Sequence, residues 1–453
     1  MKIVLTGFRG TGKTSAGRAL AARLNLPFHD TDTMIEQRAG LPILKIFTIH
    51  GEDRFREQER EVIASLRDAG GVISTGGGAV CNPANVEHMR RGATVFLLSA
   101  DPDVIESRIS ATDRPPLTDL APADEIRELL RRRKQAYLSA ADFCIDRGAI
   151  SVDDTVEEIC RVLSGRAIAP EDRAEGERLL AAMNPKPADV PLAVDHLTRI
   201  CGIAGNPCSH SQSPRMYNRL FERFSINYRY TYLQWPDLEE IIRLARLIGI
   251  RGLSVTIPFK IDVMRYLDEV DGHAAAIGAV NTVLQCGGRM YGYNTDWIGV
   301  RRPLEHRQGG RAALFGAGGA AAAAVYALRS LEMDVMILNR TPEKARALAE
   351  RAGCGWGPIS AFDKDDFDVV VNATPIGMEP DPGSPLSADQ LRAGMTVFDL
   401  VYTPPETPLL RLARSAGCET IPGTEMFVHQ GCEQFRLFTG ISVPPALIRE
   451  VIT

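Results

Sequence analysis

Two glycine-rich loops of different kinds, each accompanied by charged residues able to move a chemical group, are the chemical centres of this 453-residue chain. Gly7-Phe8-Arg9-Gly10-Thr11-Gly12-Lys13-Thr14 is a complete G-x-x-x-x-G-K-T, which cradles nucleotide phosphates in backbone N–H groups. Gly7, Gly10, Thr11, Gly12 and Ser15 would surround ATP phosphates, Lys13 would neutralise the β and γ groups, and the Thr14 hydroxyl suits Mg²⁺. Gly316-Ala317-Gly318-Gly319-Ala320-Ala321 is a G-x-G-x-x-A, the pattern that holds a dinucleotide. The strand after it, Val335-Met336-Ile337-Leu338, runs into Asn339-Arg340-Thr341 with no acidic residue to hold a ribose 2′-hydroxyl. Arg340 instead suits a 2′-phosphate, which predicts NADP(H) over NAD.

Around the first loop lie groups suited to a small hydroxy acid. Asp30-Thr31-Asp32 follows the apolar Leu26-Pro27-Phe28 and reads as a strand end, with both carboxylates on one side. Phe55-Arg56-Glu57 reads as a helix start whose arginine could equally form a surface ion pair. Gly76-Gly77-Gly78 directly after an apolar strand costs backbone entropy and makes sense where a ligand touches the main chain. Arg114-Pro115-Pro116 suits a mobile lid, and Arg133 precedes Tyr137 by one helical turn. Around the second loop, Ser211 and Ser213 can turn both hydroxyls into one pocket, and Lys260 stands just past a strand ended by Pro258. Asn281 sits in an apolar run and needs partners if buried; Asp296 stands beside Asn294. His210 is read as structural.

These residues need rigid elements to hold them, and the apolar pattern supplies alternating strands and helices. Residues 1–165 carry a buried strand at Lys2–Thr6, a helix from Ser15 to Leu24, and strands near Val72–Ser74 and Thr94–Leu98. This is an α/β pattern with a mostly parallel sheet. Residues 166–195 read as a linker: a charged helix from Pro170 to Met183, then Asn184-Pro185-Lys186-Pro187, a stiff spacer. Residues 196–305 begin a second α/β unit and 306–453 a third, a Rossmann-type lobe whose last helices return to the second.

Composition narrows the class. The chain is 45% hydrophobic and 24% charged with a net charge of −5, which gives no basic surface for nucleic acid and no membrane segment. Nine scattered cysteines without a C-x-x-C pair predict reduced thiols in a cytoplasmic protein. The first loop begins too early to leave room for a signal peptide.

Over residues 1–165 the phosphate loop, Asp30-Thr31-Asp32, Phe55-Arg56, Gly76-Gly77-Gly78-Ala79-Val80, Arg114-Pro115 and Arg133 closely resemble shikimate kinase. The resemblance implies that Asp32 binds and orients the shikimate hydroxyl and that Asp30 lies near the metal with Thr14. It further implies that Arg56 and Arg133 grip the carboxylate, that Gly76, Gly77 and Gly78 meet the ring, and that Arg114 closes over the transferring phosphate and ATP. Residues 197–453 are similar to shikimate dehydrogenase. The similarity is carried by Ser211 and Ser213, Thr256 to Lys260, Asn281, Asn294 to Asp296, and the dinucleotide loop. Asn372-Ala373-Thr374-Pro375, Val401-Tyr402 and Gly423 to Gln430 extend it. It implies that Lys260 and Asp296 form the catalytic pair, and that Ser211, Ser213, Thr256, Asn281, Tyr402 and Gln430 hold 3-dehydroshikimate or shikimate. Gly316 to Ala320, Asn339, Arg340, Thr341, Thr374 and Gly423 would hold NADP. Ser254 departs from the family, many members having asparagine there. The expectation is a bifunctional enzyme; the alternatives are a dehydrogenase half that prefers quinate or NAD, or one half that is a catalytically silent regulatory module.

Overall fold

The computed structural model describes residues 1–109, 120–148, 150–186 and 194–452. Three sheets order the chain. The first runs β1 (Lys2–Thr6), β2 (Phe28–Asp30), β3 (Gly71–Ser74), β4 (Ala93–Ser99) and β5 (Phe143–Asp146) in the spatial order β2-β3-β1-β4-β5, all parallel. Ile3, Val4 and Leu5 are wholly buried, as expected of a central strand covered by helices on both faces. The phosphate loop leaves the carboxyl end of β1 and enters the helix Lys13–Leu24.

The second sheet is mixed. It comprises β6 (Arg199–Gly205), β7 (Tyr228–Gln234), β8 (Gly252–Val255), β9 (Glu269–Val270), β10 (Thr282–Cys286) and β11 (Arg289–Tyr293), ordered β7-β6-β8-β10-β11-β9. The third, with β12 (Arg311–Phe315), β13 (Asp334–Leu338), β14 (Gly355–Gly357), β15 (Val369–Asn372), β16 (Thr396–Asp399) and β17 (Glu419–Ile421), is parallel throughout in the order β14-β13-β12-β15-β16-β17. Strand order reverses between β12 and β15, so a crevice opens at their carboxyl ends, where doubly wound sheets bind ligands.

Three sequence expectations change. The helix Pro170–Met183 forms, but it is no free spacer. Leu180 and Met183 are buried in the core beneath the second sheet, and Glu175 pairs with Arg243 at 2.8 Å. Its apolar face has a partner, which the proline-rich stretch after it concealed. Second, one apolar cluster runs from Val4, Phe8 and Ile73 through Leu138 and Ala140 to Tyr217, Tyr228, Phe435 and Phe438, so the first and second halves share a core. Third, the cysteines are not all reduced: Cys144 in β5 is disulfide-bonded to Cys286 at the end of β10, across 142 positions of sequence. Spacing along the chain gives no sign of a pair that only the docking of two sheets brings together.

Candidate active sites

In the first site Gly7, Gly10 and Gly12 have φ of 143°, 82° and 80°, a backbone that side chains rarely adopt. At Gly7 a Cβ would lie 2.2 Å from the Leu98 carbonyl oxygen, so the loop must be glycine to pass the end of β4. Lys13 is buried and donates to the Phe8 carbonyl at 2.8 Å. Ser15 is exposed in the first turn of the same helix. Thr14 Oγ1 donates to Asp30 Oδ2 at 2.8 Å, which joins the two residues expected at a metal.

Asp30 and Asp32 are not both strand residues. Asp30 ends β2 and caps the helix Thr31–Ala39, accepting from the backbone N–H of Asp32 and Thr33, so Asp32 stands in the first helical turn. Aspartate is a strong N-cap, and that preference ends the strand at Asp30, two residues short of Asp32. Glycine at 76 makes room for the acids: a Cβ there would come within 2.8 Å of Asp32 Oδ1 and 3.0 Å of Glu59 Oε1.

Gly51, with φ of 81° and ψ of 173°, breaks the helical run Ile43–Ser65 in two, so Arg56 stands in the second turn of the later helix, close to the start expected there. Arg56 has one surface pair and one buried pair. It binds Glu52 at 3.0 Å and the buried Glu59 at 3.0 Å. Burial pushes the Glu59 carboxyl up, against the lowering pull of Arg56. The Arg56 guanidinium packs over Gly78, and Arg133 Nη1 donates to the Gly77 carbonyl at 3.4 Å. The Tyr137 hydroxyl, its acidity suppressed by burial, also donates to Gly77. The three glycines, two arginines and two acids thus converge beside the phosphate loop. Arg114 lies outside the described residues.

The second site is a cleft of about 670 Å³ between the second and third sheets. Lys260 Nζ donates to Asp296 Oδ2 at 2.6 Å, and Asn281 Nδ2 donates to Asp296 Oδ1 at 2.8 Å. Asp296 is held by the start of its own helix, Asp296–Arg301, and by Asn294 Oδ1, which accepts its N–H at 3.0 Å. Ser211 and Ser213 are mutually bonded at 3.1 Å and line the cleft with Thr256, Tyr402 and Gln430. His210 is exposed and outside the cleft lining.

Gly316, Ala317, Gly318, Gly319, Ala320, Asn339, Arg340, Thr341, Thr374 and Gly423 all line the other part of the cleft, at the carboxyl ends of β12, β13, β15 and β17. A Cβ on Gly316 (φ 114°) would sit 2.9 Å from the Ala373 carbonyl oxygen, and one on Gly423 would sit 2.4 Å from that of Val401. Glycine at these two positions lets the loops pack against one another, while, its chain neighbours aside, no atom of the described residues lies within 4 Å of a Cβ on Gly318, whose backbone is open to a pyrophosphate. Lys344, one turn beyond Arg340, also lines the cleft. After β13 two cations and no carboxylate line the cleft, which fits a 2′-phosphate.

Sequence reasoning missed Lys344 and Gln434. Gln434 stands one turn after Gln430 on the helix Gly423–Thr439, and this i, i+4 spacing is the signal that could have found it. Ser254, where the sequence departs from the family, lines the cleft, donates to Gln434 Oε1 at 2.6 Å and accepts from Tyr230. Gln434 passes the network on to Thr282 Oγ1 at 2.7 Å.

A phosphate-loop transferase domain thus precedes an oxidoreductase whose lysine–carboxylate pair faces a dinucleotide crevice. Comparisons make the class specific. A family model described as shikimate kinase matches residues 9–164, one for the shikimate dehydrogenase substrate binding domain matches 203–283, and one for the shikimate 5′-dehydrogenase C-terminal domain matches 423–453. A shikimate dehydrogenase (NADP(+)) of Methanocaldococcus jannaschii is 41% identical over 261 residues, covering 54% of this chain and 92% of that protein. A crystal structure of a shikimate dehydrogenase in complex with NADP+ has a TM-score of 0.55 and 38% identity, covering 58% of this chain and 98% of that one. One from Thermus thermophilus in complex with NADP(H) and shikimate has a TM-score of 0.53 and 36% identity, covering 56% and 98%. The chain belongs to the shikimate dehydrogenase family and carries a shikimate kinase domain ahead of the dehydrogenase. It is a bifunctional enzyme, a phosphotransferase and an oxidoreductase.

Proposed function

We propose that this chain reduces 3-dehydroshikimate to shikimate with NADPH and then phosphorylates the hydroxyl so formed, using ATP and Mg²⁺, to give shikimate 3-phosphate. The observation that carries the first step is the Lys260–Asp296 pair, 2.6 Å apart in a cleft shared with the dinucleotide loop. NADPH supplies a hydride to the ring carbonyl carbon when bound. Lys260 donates a proton to the carbonyl oxygen, and Asp296, fixed by Asn281 and Asn294, orients the ammonium. Ser211, Ser213, Thr256, Asn281, Tyr402 and Gln430 hold the hydroxyls and carboxylate.

In the kinase half the substrate's C3 hydroxyl attacks the γ-phosphorus of ATP. Its proton passes to Asp32, and the bond from the γ-phosphorus to the ADP oxygen breaks. Lys13 and Arg114 neutralise the transferring charge, while Arg56 and Arg133 orient the acid through its carboxylate. Thr14 and Asp30, already bonded to one another, would hold Mg²⁺, which supplies further neutralisation of phosphate charge. We assign the chain to the cytosol, where ATP and NADPH are available. No described helix is long and apolar enough to cross a membrane.

Assaying Lys13→Ala and Lys260→Ala separately tests the division of labour. Each variant should lose one activity and keep the other. Shikimate phosphorylation by Lys13→Ala, or dehydroshikimate reduction at the wild-type rate by Lys260→Ala, contradicts the assignment.

A further inference from the structure

We infer that Arg251, a residue of the dehydrogenase half, is a positioning residue for the kinase half. Arg251 is wholly buried at the start of β8. Its Nη2 donates to the carbonyls of Leu138 at 2.5 Å and Ser139 at 3.0 Å, in the last turn of the helix Pro122–Ala140. Nε donates to the carbonyl of Phe438 at 3.2 Å, in the last turn of the helix Gly423–Thr439, and Nη1 to that of Gln285 at 2.9 Å. One guanidinium therefore closes the carboxyl ends of two helices from different halves.

The physical need is clear. The last carbonyls of a helix have no partner within it, and each helix end carries about half a negative charge. Two such ends brought together in a buried place repel one another and leave acceptors unsatisfied. A planar cation with several fixed donors answers both problems, and lysine offers fewer donors in a different geometry. Arg90 of the kinase half serves the adjacent Ala140 carbonyl at 2.5 Å, but it is itself held by Asp142 at 2.6 Å. At the same junction Gly440, with φ of 74°, lies so close that a Cβ would be 3.1 Å from Ala140 Cα and 3.2 Å from its nitrogen.

The helix that Arg251 closes is the one that carries Arg133 and Tyr137. Tyr137, immediately before Leu138, reaches the Gly77 carbonyl, as does Arg133 one turn earlier. A helix end that shifts along its axis moves both off the glycine turn. Arg251 touches neither nucleotide nor substrate, so its loss should act on the acid-binding side of the kinase site and spare the phosphate loop.

The inference rests on the proposed kinase activity and is tested in the full chain with Arg251→Lys and Arg251→Met. Kinase rates are measured against shikimate and, separately, against ATP, with NADPH-dependent reduction as a control for folding. The expected result is a KM for shikimate raised roughly tenfold in Arg251→Met and less in Arg251→Lys, with kcat and the KM for ATP within about twofold of wild type. An unchanged KM for shikimate overturns the role of Arg251. So does an equal rise in both Michaelis constants, which is general loosening. Should neither variant fold, Gly440→Ala presses on Val86 and Ala140 at the same junction and should give the same split; a wild-type KM for shikimate there also overturns it. A wild-type chain that phosphorylates no shikimate refutes the kinase reading itself, a different failure.

Discussion

Gly78→Ala separates a steric requirement of the kinase site from a backbone one. Gly78 has φ of −104° and ψ of −4°, which alanine adopts without strain. The added methyl is the whole perturbation. It would lie 2.7 and 2.9 Å from the terminal nitrogens of Arg56 and 3.1 Å from Cζ, where ordinary contact begins near 3.4 Å. The guanidinium must retreat by roughly 0.7 Å, yet it is pinned at 3.0 Å to Glu52 on one side and 3.0 Å to Glu59 on the other. A carboxylate grip displaced by that much should lose about 1.4–2.7 kcal/mol, or roughly 10- to 100-fold in kcat/KM for shikimate. The assay is ADP release against shikimate concentration, with ATP saturating. The change should fall mainly on the KM for shikimate, leaving the KM for ATP and the dehydrogenase rate at wild-type values. A Gly78→Ala enzyme with wild-type kcat/KM would show that Arg56 does not bind the acid across Gly78.

Three further outcomes are expected. Arg340→Ala should raise the KM for NADPH about tenfold and leave that for NADH unchanged, with Lys344→Ala adding to the loss; a NADPH preference untouched in the double variant contradicts 2′-phosphate recognition. Because burial raises the Glu59 carboxyl above its ordinary 4.5, the folded chain binds the extra proton between that value and its own higher one. The unfolding free energy of wild type relative to Glu59→Gln should therefore fall as pH climbs through that window and then level off, as followed by urea titration; a difference that rises with pH contradicts it. Alkylation in denaturant without reductant should modify seven cysteines by mass, and nine after reduction; nine without reductant would exclude the Cys144–Cys286 bond.

Local chemistry made much of both sites legible. A phosphate loop needs its glycines and lysine in fixed order, and a strand, a glycine turn and a helix follow from the residues themselves, so Gly7 to Thr14 and Gly316 to Ala320 fall where the pattern puts them. The lysine–carboxylate pair could be named through the family resemblance, and the need of a carbonyl reduction for a proton donor agrees with it. What stayed hidden is what only tertiary packing decides. Asp32 moved from strand to helix because the Asp30 cap won. The Arg56 ion pair could equally be read as a surface one because a buried carboxylate such as Glu59 cannot be told from an exposed one without its neighbours. Ser254 and Gln434 lie far apart in the chain and meet through a helix that returns from the last lobe. The junction of the halves was the least legible part: Cys144 with Cys286, and Arg251 with Leu138, are joined across 142 and 113 positions by docking alone.

The most direct test of the account supplies the purified full-length chain with 3-dehydroshikimate, NADPH, ATP and Mg²⁺ and follows NADPH oxidation, ADP release and the organic product together. The account predicts oxidation of NADPH, one ADP per ring, and accumulation of shikimate 3-phosphate. Shikimate that accumulates without phosphorylation, or no oxidation of NADPH at all, would contradict the claim that one chain holds two working sites for the same acid.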